Sequence, residues 1–251
     1  MRSVVVAPLR HLRGCAHPLY LLRRLGPTRA LLRSLDRPMW AQIKCLPWPV
    51  RVRLVSHMSF LVLGTPEPQV VETFQRIVRE RNVRIFCDVG ANFGYYSWLV
   101  KALQPAARVI LLEPEPLNLE LIAATVERNQ LQGVRVVAAA ASAAGGTAVF
   151  HRDPDGAFQG SLEFVATGRA TIDVQLMMLD DLEERVDLIK IDVEGHEPQV
   201  LAGAERIVAE HRPAIVLECL AEDMTAVRWL EDRGYESTRI DVDNYLLTPR
   251  E

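Results

Sequence analysis

The sequence has 251 residues, of which 49% are hydrophobic and 24% are charged, and its formal net charge is -3. This length suits one large domain, or one domain with an appendage. Apolar side chains are plentiful enough for a sizeable core, which excludes a disordered chain, and the repeats of collagen or of a coiled coil are not present.

The cysteines and the apolar runs bear on where the protein resides. The four cysteines are far apart and form no C-x-x-C pair, so a disulfide framework and a zinc knuckle are disfavoured. No uncharged run reaches the roughly 18 apolar residues of a membrane-spanning helix. The apolar run Val4 to Val6 is too short for a signal peptide. These features predict a cytoplasmic protein.

Charge is distributed unevenly along the chain. Residues 1–60 contain eleven basic side chains and one acidic side chain, Asp36. We therefore predict a basic N-terminal arm, residues 1–50, and a folded domain, residues 51–251. The leucines between positions 19 and 35 suit basic amphipathic helices that contact an anionic membrane at its periphery. A solvated extension packed on the domain is the alternative that we favour, and a mitochondrial-type transit peptide is a lesser one.

From about residue 83, short β-branched runs alternate with helical patterns. Strands are predicted at 83–88, 109–112, 134–138, 188–191 and 214–217, helices at 95–104, 117–131, 198–210 and 224–233, and a closing hairpin at 235–240 and 245–247. An insertion of extended segments, 147–150, 161–165 and 171–176, follows the third strand. Several strands are apolar on both faces and need helices on both sides. The pattern predicts an α/β fold with a doubly wound, mainly parallel sheet, whose ligands bind beyond the carboxyl ends of the strands.

The first strand ends in the segment DVGANFG, residues 88–94. Its glycines allow the backbone to turn sharply and to approach a ligand as a helix begins. A dinucleotide-binding loop needs glycines where Asn92 and Tyr95 stand, so a nicotinamide oxidoreductase is disfavoured. An acidic residue two places before Gly90 favours a ligand with a cationic end. The alternative is a structural turn in which a buried Asp88 caps the helix.

The second strand ends in Glu113 and Pro114. An acidic side chain in this place can accept hydrogen bonds from both hydroxyls of a ribose. Glu113 alone is a weak signal, but it follows Asp88 by 25 residues. The pair together indicates a nucleoside site.

The strand at 188–191 ends in a crowded polar segment, KIDVEGHE, residues 190–197. Three acids and a histidine are candidates for a general base, a clamp on a substrate hydroxyl, or a divalent-metal site, of which we favour the sites without a metal. Asp192 is best placed because it directly follows the strand, and Glu218 at the end of the next strand can converge with it. An imidazole also accepts protons near neutral pH, which makes His196 a second candidate.

Five segments together resemble the FkbM family of S-adenosylmethionine-dependent methyltransferases: DVGANFGYYS, LLEPEP, AAAASAAGG, LIKIDVEGHE and GYESTRIDVDNYLLTP. The resemblance covers about residues 52–249. It implies the class I methyltransferase fold, Rossmann-like, with seven strands and the last one antiparallel. The sequence departs from the family pattern at Ala143 and Ala144, where charged residues are common in the family, and in its long basic arm.

The resemblance also implies where the cofactor and the acceptor bind. The methionine end of S-adenosylmethionine is expected against Asp88, Gly90, Asn92 and Gly94, the ribose against Glu113 and Pro114, and the adenine near Ala140 and Ser142. The implied reaction is methyl transfer to a hydroxyl of a sugar or of a polyketide-type natural product, a small-molecule or saccharide acceptor. For catalysis, our own hypothesis assigns the role of base to Asp192, with Glu194 and His196 orienting the acceptor.

Two other functions stay open at this point. A nucleic-acid methyltransferase fits the basic arm, but residues 192–195 offer no aromatic side chain to stack a base and carry two acids that repel phosphate. A non-catalytic, membrane-associated scaffold is the second alternative. The presence of Asp88, Glu113 and Asp192 together argues against loss of the chemistry.

Overall fold

The computed structural model describes residues 34–65, 67–152, 160–163, 170–219 and 223–250. Most of the predicted basic arm, with its amphipathic helices, lies outside the described residues. So does the end of the extended segment predicted at 161–165, and its described beginning forms an isolated bridge between Ser161 and His151 instead of a strand.

The described strands and helices follow one another along the chain. The strands are β1 (Pro38–Ala41), β2 (Val50–Arg53), β3 (Ile85–Val89), β4 (Arg108–Leu112), β5 (Val134–Val137), β6 (Ala140–Ala141), β7 (Gly146–His151), β8 (Thr171–Met177), β9 (Leu188–Ile191), β10 (Ala214–Glu218), β11 (Tyr235–Arg239) and β12 (Asn244–Pro249). The α-helices are α1 (Met58–Leu63), α2 (Pro68–Glu80), α3 (Tyr95–Leu103), α4 (Pro116–Asn129), α5 (Glu197–Ala202) and α6 (Thr225–Glu231). None of the helices in these ranges is long and apolar enough to cross a bilayer.

A seven-stranded sheet forms the centre of the fold, in the order β11-β12-β10-β9-β3-β4-β5. The strands from β5 across to β10 pair in parallel. Strand β12 is antiparallel to both of its neighbours. Alternate side chains of the central strands enter two separate core clusters, with Phe86 and Leu111 in one and Cys87 and Ile110 in the other. The sheet is thus covered on both faces, which confirms the predicted α/β class.

The segment before the sheet was not predicted as regular structure. Strand β1 pairs antiparallel with β2, and helices α1 and α2 follow. Ala41, Ile43 and Leu46 are buried in the same core cluster as the helices on one face of the sheet. The backbone N–H of Arg51 donates to the hydroxyl of Thr125 in α4. Residues 34–50, the described part of the predicted arm, therefore pack on the domain.

The insertion after β5 forms a small sheet in the order β6-β8-β7. Two contacts tie it to the carboxyl ends of the main strands. The guanidinium of Arg152 makes two hydrogen bonds to Glu115, just after β4, at 2.8 and 2.7 Å. The hydroxyl of Ser161 donates to the backbone oxygen of Glu194, just after β9.

The single helix predicted at 198–210 is wrong, because α5 ends at Ala202 and a π-helix occupies Ile207–His211. The break coincides with Gly203, whose backbone packs so closely on the insertion that a Cβ would lie 2.1 Å from the backbone oxygen of Ser142. The carboxylate of Asp180 then accepts the backbone N–H groups of Arg206 and Ile207. The helix therefore ends at the close contact of Gly203, and Asp180 caps the helical segment that follows.

Candidate active site

Two turns meet at the carboxyl ends of the central strands. We name residues 88–94 the β3 turn and residues 192–197 the β9 turn. Gly90 has a φ of 78° and its N–H donates to the backbone oxygen of Leu112 at 3.0 Å. A Cβ on Gly90 would lie 1.9 Å from the backbone oxygen of Asp192. Only glycine fits there, and the two turns are consequently in backbone contact.

Asp88 opens the β3 turn as a buried side chain. Its Oδ2 accepts the backbone N–H and the hydroxyl of Ser97, at 3.1 and 2.7 Å, in the first turn of α3. Burial raises the pKa of Asp88 to about 6, although the hydrogen bonds from Ser97 act to lower it. The side chain thus makes a helix-capping contact, and its role toward the methionine end of a cofactor stays a prediction.

Glu113 connects the end of β4 to the β3 turn. Its Oε2 accepts the backbone N–H of Asn92 at 2.7 Å, and its Oε1 accepts the N–H of Glu115 at 2.9 Å. Only 4% of Glu113 is exposed, and burial raises its pKa to about 7 against the effect of these hydrogen bonds. Because each carboxylate oxygen has two lone pairs, Oε2 retains capacity for a ribose hydroxyl. Pro114, beside it, is half-buried.

Ser142, which is predicted to lie near the adenine, makes a contact that the sequence did not predict. Ala140 lies in β6, and the hydroxyl of Ser142, just after that strand, lies 3.0 Å from Nε2 of His196. The other ring nitrogen, Nδ1, lies 2.7 Å from Oε1 of Glu163. His196 therefore joins the β9 turn to the insertion, and a direct contact with an acceptor stays a prediction. Ser142 and His196 are 54 residues apart, so no local pattern reveals the link.

Asp192 lies at the edge of the cleft with a buried cation beneath it. The Nζ atom of Lys190 is 2.9 Å from Oδ2 of Asp192 and 4.0 Å from Oε2 of Glu218. The Asp192 side chain is 33% exposed, whereas that of Lys190 is 2% exposed. Burial acts to lower the pKa of Lys190, but the negative charges of Asp192, Glu218 and Glu67 raise it above its ordinary value. Lys190 thus stays charged beneath the base candidate.

A second layer surrounds Lys190. Its Nζ lies 4.7 Å from the centre of the Tyr96 ring, and the hydroxyl of Tyr96 donates to Oε2 of Glu67 at 3.1 Å. Sequence reasoning did not single out Lys190 as functional. The available signal was a lysine inside a strand that is otherwise apolar, because a fully buried lysine needs a charged partner.

The cleft beside the β9 turn is acidic. It is partly open to solvent and is lined by Asp192, Glu194, Gly195, Glu197, Glu218, Cys219 and Asp243. Burial, together with the charges of Asp192 and Glu67, raises the pKa of Glu218 well above its ordinary value. Within the described ranges, no group of three or more His, Cys, Asp or Glu side chains has an arrangement that could hold a metal ion.

The architecture and the site define the class of the protein. A mostly parallel sheet of seven strands carries one antiparallel strand, β12, between β10 and β11. A glycine turn follows the central strand, and a buried carboxylate follows the neighbouring strand. This is the class I methyltransferase fold, as the sequence predicted.

Comparison with known proteins identifies the family. The family model described as Methyltransferase FkbM domain matches residues 88–237, more than half of the chain. The chain belongs to the FkbM methyltransferase family.

Individual relatives are more distant. The chain is similar to Methyltransferase sdnD of Sordaria araneosa, at 27% identity over 194 residues that cover 61% of this chain and 73% of that protein. It shares the fold of the crystal structure of Methyltransferase FkbM from Methylobacillus flagellatus KT, with a TM-score of 0.52 and 16% identity. That match covers 88% of this chain and 58% of the other, so the chain spans less than two thirds of its length.

The cofactor of this methyltransferase is S-adenosylmethionine. The residues present fit it. The turn with positive φ at Gly90, Asn92 and Gly94 brings bare backbone to the edge of the sheet. Glu113, one strand away, offers a buried acceptor oxygen of the kind that a ribose needs.

Proposed function

We propose that this methyltransferase transfers the methyl group of S-adenosylmethionine to a hydroxyl of a sugar or of a polyketide-type natural product. The observation that carries the proposal is the position of Asp192. Its backbone oxygen contacts Gly90 in the β3 turn, while its carboxylate is partly exposed at the cleft. This position supports a role for Asp192 as the proton acceptor, between the β3 turn and the cleft in which the methyl acceptor would bind.

S-adenosylmethionine supplies a methyl group on a positively charged sulfur. The protein must hold the acceptor oxygen in line with that group, and positioning of this kind contributes roughly 7–11 kcal/mol to lowering a barrier. An alcohol is a poor nucleophile at neutral pH, so a base that removes its proton accelerates the reaction by about 10²–10⁴-fold.

Asp192 is the proposed base. It would take the hydroxyl proton of the acceptor, while S-adenosylmethionine, held at the β3 turn and Glu113, would supply the methyl group and leave as S-adenosylhomocysteine. Lys190 holds Oδ2 of this carboxylate at 2.9 Å and fixes its orientation. The negative charges of Glu218 and Glu67 also act on Lys190 and, with that of Asp192, raise its pKa.

Two further residues complete the proposed site. Glu194 lines the cleft and is placed to hydrogen-bond a second hydroxyl of the acceptor. His196 orients the acceptor indirectly, because its ring is buried and supports the β9 turn through Ser142 and Glu163.

A methyl-transfer assay with labelled S-adenosylmethionine tests the proposal. The acceptors are a panel of sugar and polyketide alcohols, the matching amines, and short DNA and RNA strands. We expect label in an ether product with at least one alcohol, and an unchanged rate in EDTA. Transfer to amines or to nucleic acid alone would contradict the proposed acceptor class while leaving the methyltransferase assignment intact.

We also propose that the protein is cytoplasmic and that its basic arm contacts anionic membrane at the periphery. The eleven basic residues of positions 1–60 support the membrane contact, and four cysteines without a C-x-x-C pair support the cytoplasmic location. Leu54, Val62 and Leu63, which are exposed in the adjoining segment, also support the membrane contact. Flotation of the full chain with vesicles that contain anionic lipid should be lost when Arg23, Arg24 and Arg29 are replaced by serine. Equal flotation of both chains would refute a role for these arginines.

A further inference from the structure

His57 lies between the N-terminal segment and the β3 turn, and it is fully buried. Its Nδ1 accepts the backbone N–H of Arg53 at 2.9 Å. A backbone N–H can only donate, so the ring proton is assigned to Nε2. Nε2 lies 3.0 Å from Oδ1 of Asn92 and is therefore the donor in that contact.

Asn92 connects His57 to Glu113, whose carboxylate is expected to bind the ribose. Its φ of 54° places it in the left-handed region, which is uncommon for residues other than glycine, although Asn adopts it more readily than most. In this conformation its backbone N–H donates to Oε2 of Glu113 at 2.7 Å. One residue thus connects the imidazole of His57 to the carboxylate expected to bind the ribose.

The N-terminal segment holds His57 firmly. Oδ1 of Asp36 accepts the backbone N–H groups of Val55 and Ser56, both at 2.9 Å, so it fixes the chain just before His57. Burial acts to raise the pKa of Asp36, but hydrogen bonds from Ser56 and Arg53 hold it below its ordinary value. The ring of His57 also packs on Phe93, with 4.5 Å between ring centres.

We propose that His57 is a positioning residue for S-adenosylmethionine binding. By donating from Nε2 to Asn92, it keeps the β3 turn in the left-handed conformation that orients both the turn and Glu113. His57 lies outside residues 88–237, which the family model matches. The segment before the matched region therefore supplies a part of the cofactor site. This inference rests on the cofactor and not on the identity of the acceptor.

Two substitutions at one position separate positioning from packing. In His57→Gln, the amide nitrogen reaches about as far as Nε2 and can still donate to Asn92. In His57→Asn, the side chain reaches only as far as Nδ1, so the contact with Arg53 is retained and that with Asn92 is lost. His211→Asn is the matched control, because Nδ1 of His211 also accepts a backbone N–H, that of Val186, at a site outside the β3 turn.

The first readout is the affinity for S-adenosylhomocysteine, measured by calorimetry. We expect His57→Asn to bind about tenfold more weakly, the equivalent of one lost hydrogen bond. His57→Gln and His211→Asn should bind as the unaltered protein does. Asn92→Gly removes the acceptor of the bond and leaves a residue that adopts many backbone conformations besides the left-handed one, so it should match His57→Asn even if the latter folds poorly.

The second readout needs no cofactor. Amide hydrogen exchange at Asn92 should accelerate in His57→Asn and not in His57→Gln. Unaltered affinity of His57→Asn and Asn92→Gly would overturn the proposal. Equal losses in His57→Gln and His57→Asn that follow their melting temperatures would also overturn it, since they would show a purely structural role. A failure of the unaltered protein to bind would instead remove the cofactor assignment itself.

Discussion

The β3 turn and the β9 turn lie at the ends of neighbouring strands but are built differently. At the first, Asp88 and the neighbouring Glu113, which follows β4, are buried, and their carboxylates accept hydrogen bonds from the backbone. In the second, Asp192 and Glu194 line an open acidic cleft above Lys190. The cofactor side is thus organised before any ligand arrives, whereas the acceptor side holds charges that a ligand can still engage.

Because the two turns differ in this way, we expect substitutions in them to change different properties of the protein. Changes in the β3 turn should alter cofactor affinity, whereas changes in the β9 turn should alter turnover or the pH dependence of stability. The following experiments test this division, beginning with the largest expected effect.

Asp192→Asn removes the proposed base and keeps a side chain of the same shape. We expect turnover with an alcohol acceptor to fall by about 10²–10⁴-fold, the usual contribution of a general base. The affinity for S-adenosylhomocysteine should not change. Steady-state kinetics and calorimetry measure the two quantities.

Glu194→Gln is the control for this substitution, because Glu194 lines the same cleft. It should raise KM for the acceptor and leave most of kcat. If Asp192→Asn retains its turnover, or if it loses cofactor affinity instead, the division between the two turns is wrong.

Lys190→Met removes the buried positive charge that lies beside Asp192 and Glu218. Breaking a buried ion pair in this way costs about 3–5 kcal/mol in the free energy of unfolding. Burial already raises the pKa values of Glu67 and Glu218. Carboxylates with raised pKa values stabilise the fold at low pH and lose this contribution as the pH rises through those values. The free energy of unfolding lost in Lys190→Met should therefore be larger at pH 8 than at pH 5, as urea titrations at the two pH values measure.

Lys101→Met provides a matched buried lysine. Its Nζ donates to the backbone oxygens of Pro105 and Ala107, so its removal does not strip a cation from a group of carboxylates. Its cost should vary little between the two pH values. The same pH dependence in both variants would contradict the account of the Lys190 cluster.

Cofactor affinity should depend on pH through Glu113. Burial raises its pKa to about 7, and a protonated carboxyl loses an acceptor for the ribose hydroxyls. Between pH 8 and pH 6 the ionised fraction falls from about nine tenths to about one tenth, so calorimetry should show about tenfold weaker binding at pH 6. In Glu113→Ala the affinity should be low and should fall only about twofold over this range, because Asp88, with a pKa of about 6, is half ionised at pH 6. An equally steep dependence in that variant would assign the titration to another group.

The sequence predicted the central strands closely, because β3, β4 and β9 are short apolar runs bounded by polar residues. Helix α2 was missed although its pattern was visible, with Val70, Phe74 and Ile77 on one buried face. The class of fold could be predicted in full, and so could the two turns that carry its candidate residues.

Contacts within the site were less accessible to sequence reasoning. The pair of His57 with Asn92 joins residues 35 positions apart, and the pair of Ser142 with His196 is more distant still. Such contacts depend on how separate elements pack and not on local spacing. The side chain of Asp88, in turn, accepts a hydrogen bond from Ser97 in the next helix. The motif alone left open whether Asp88 faces a ligand or caps this helix.

The central claim is that the β3 turn and Glu113 together hold the nucleoside cofactor. Titration of the purified chain with S-adenosylhomocysteine in a calorimeter tests it directly. The account predicts saturable binding of one molecule per chain at pH 8, much weakened by Glu113→Ala. Flat heats with the unaltered chain, or undiminished affinity in the variant, would contradict it.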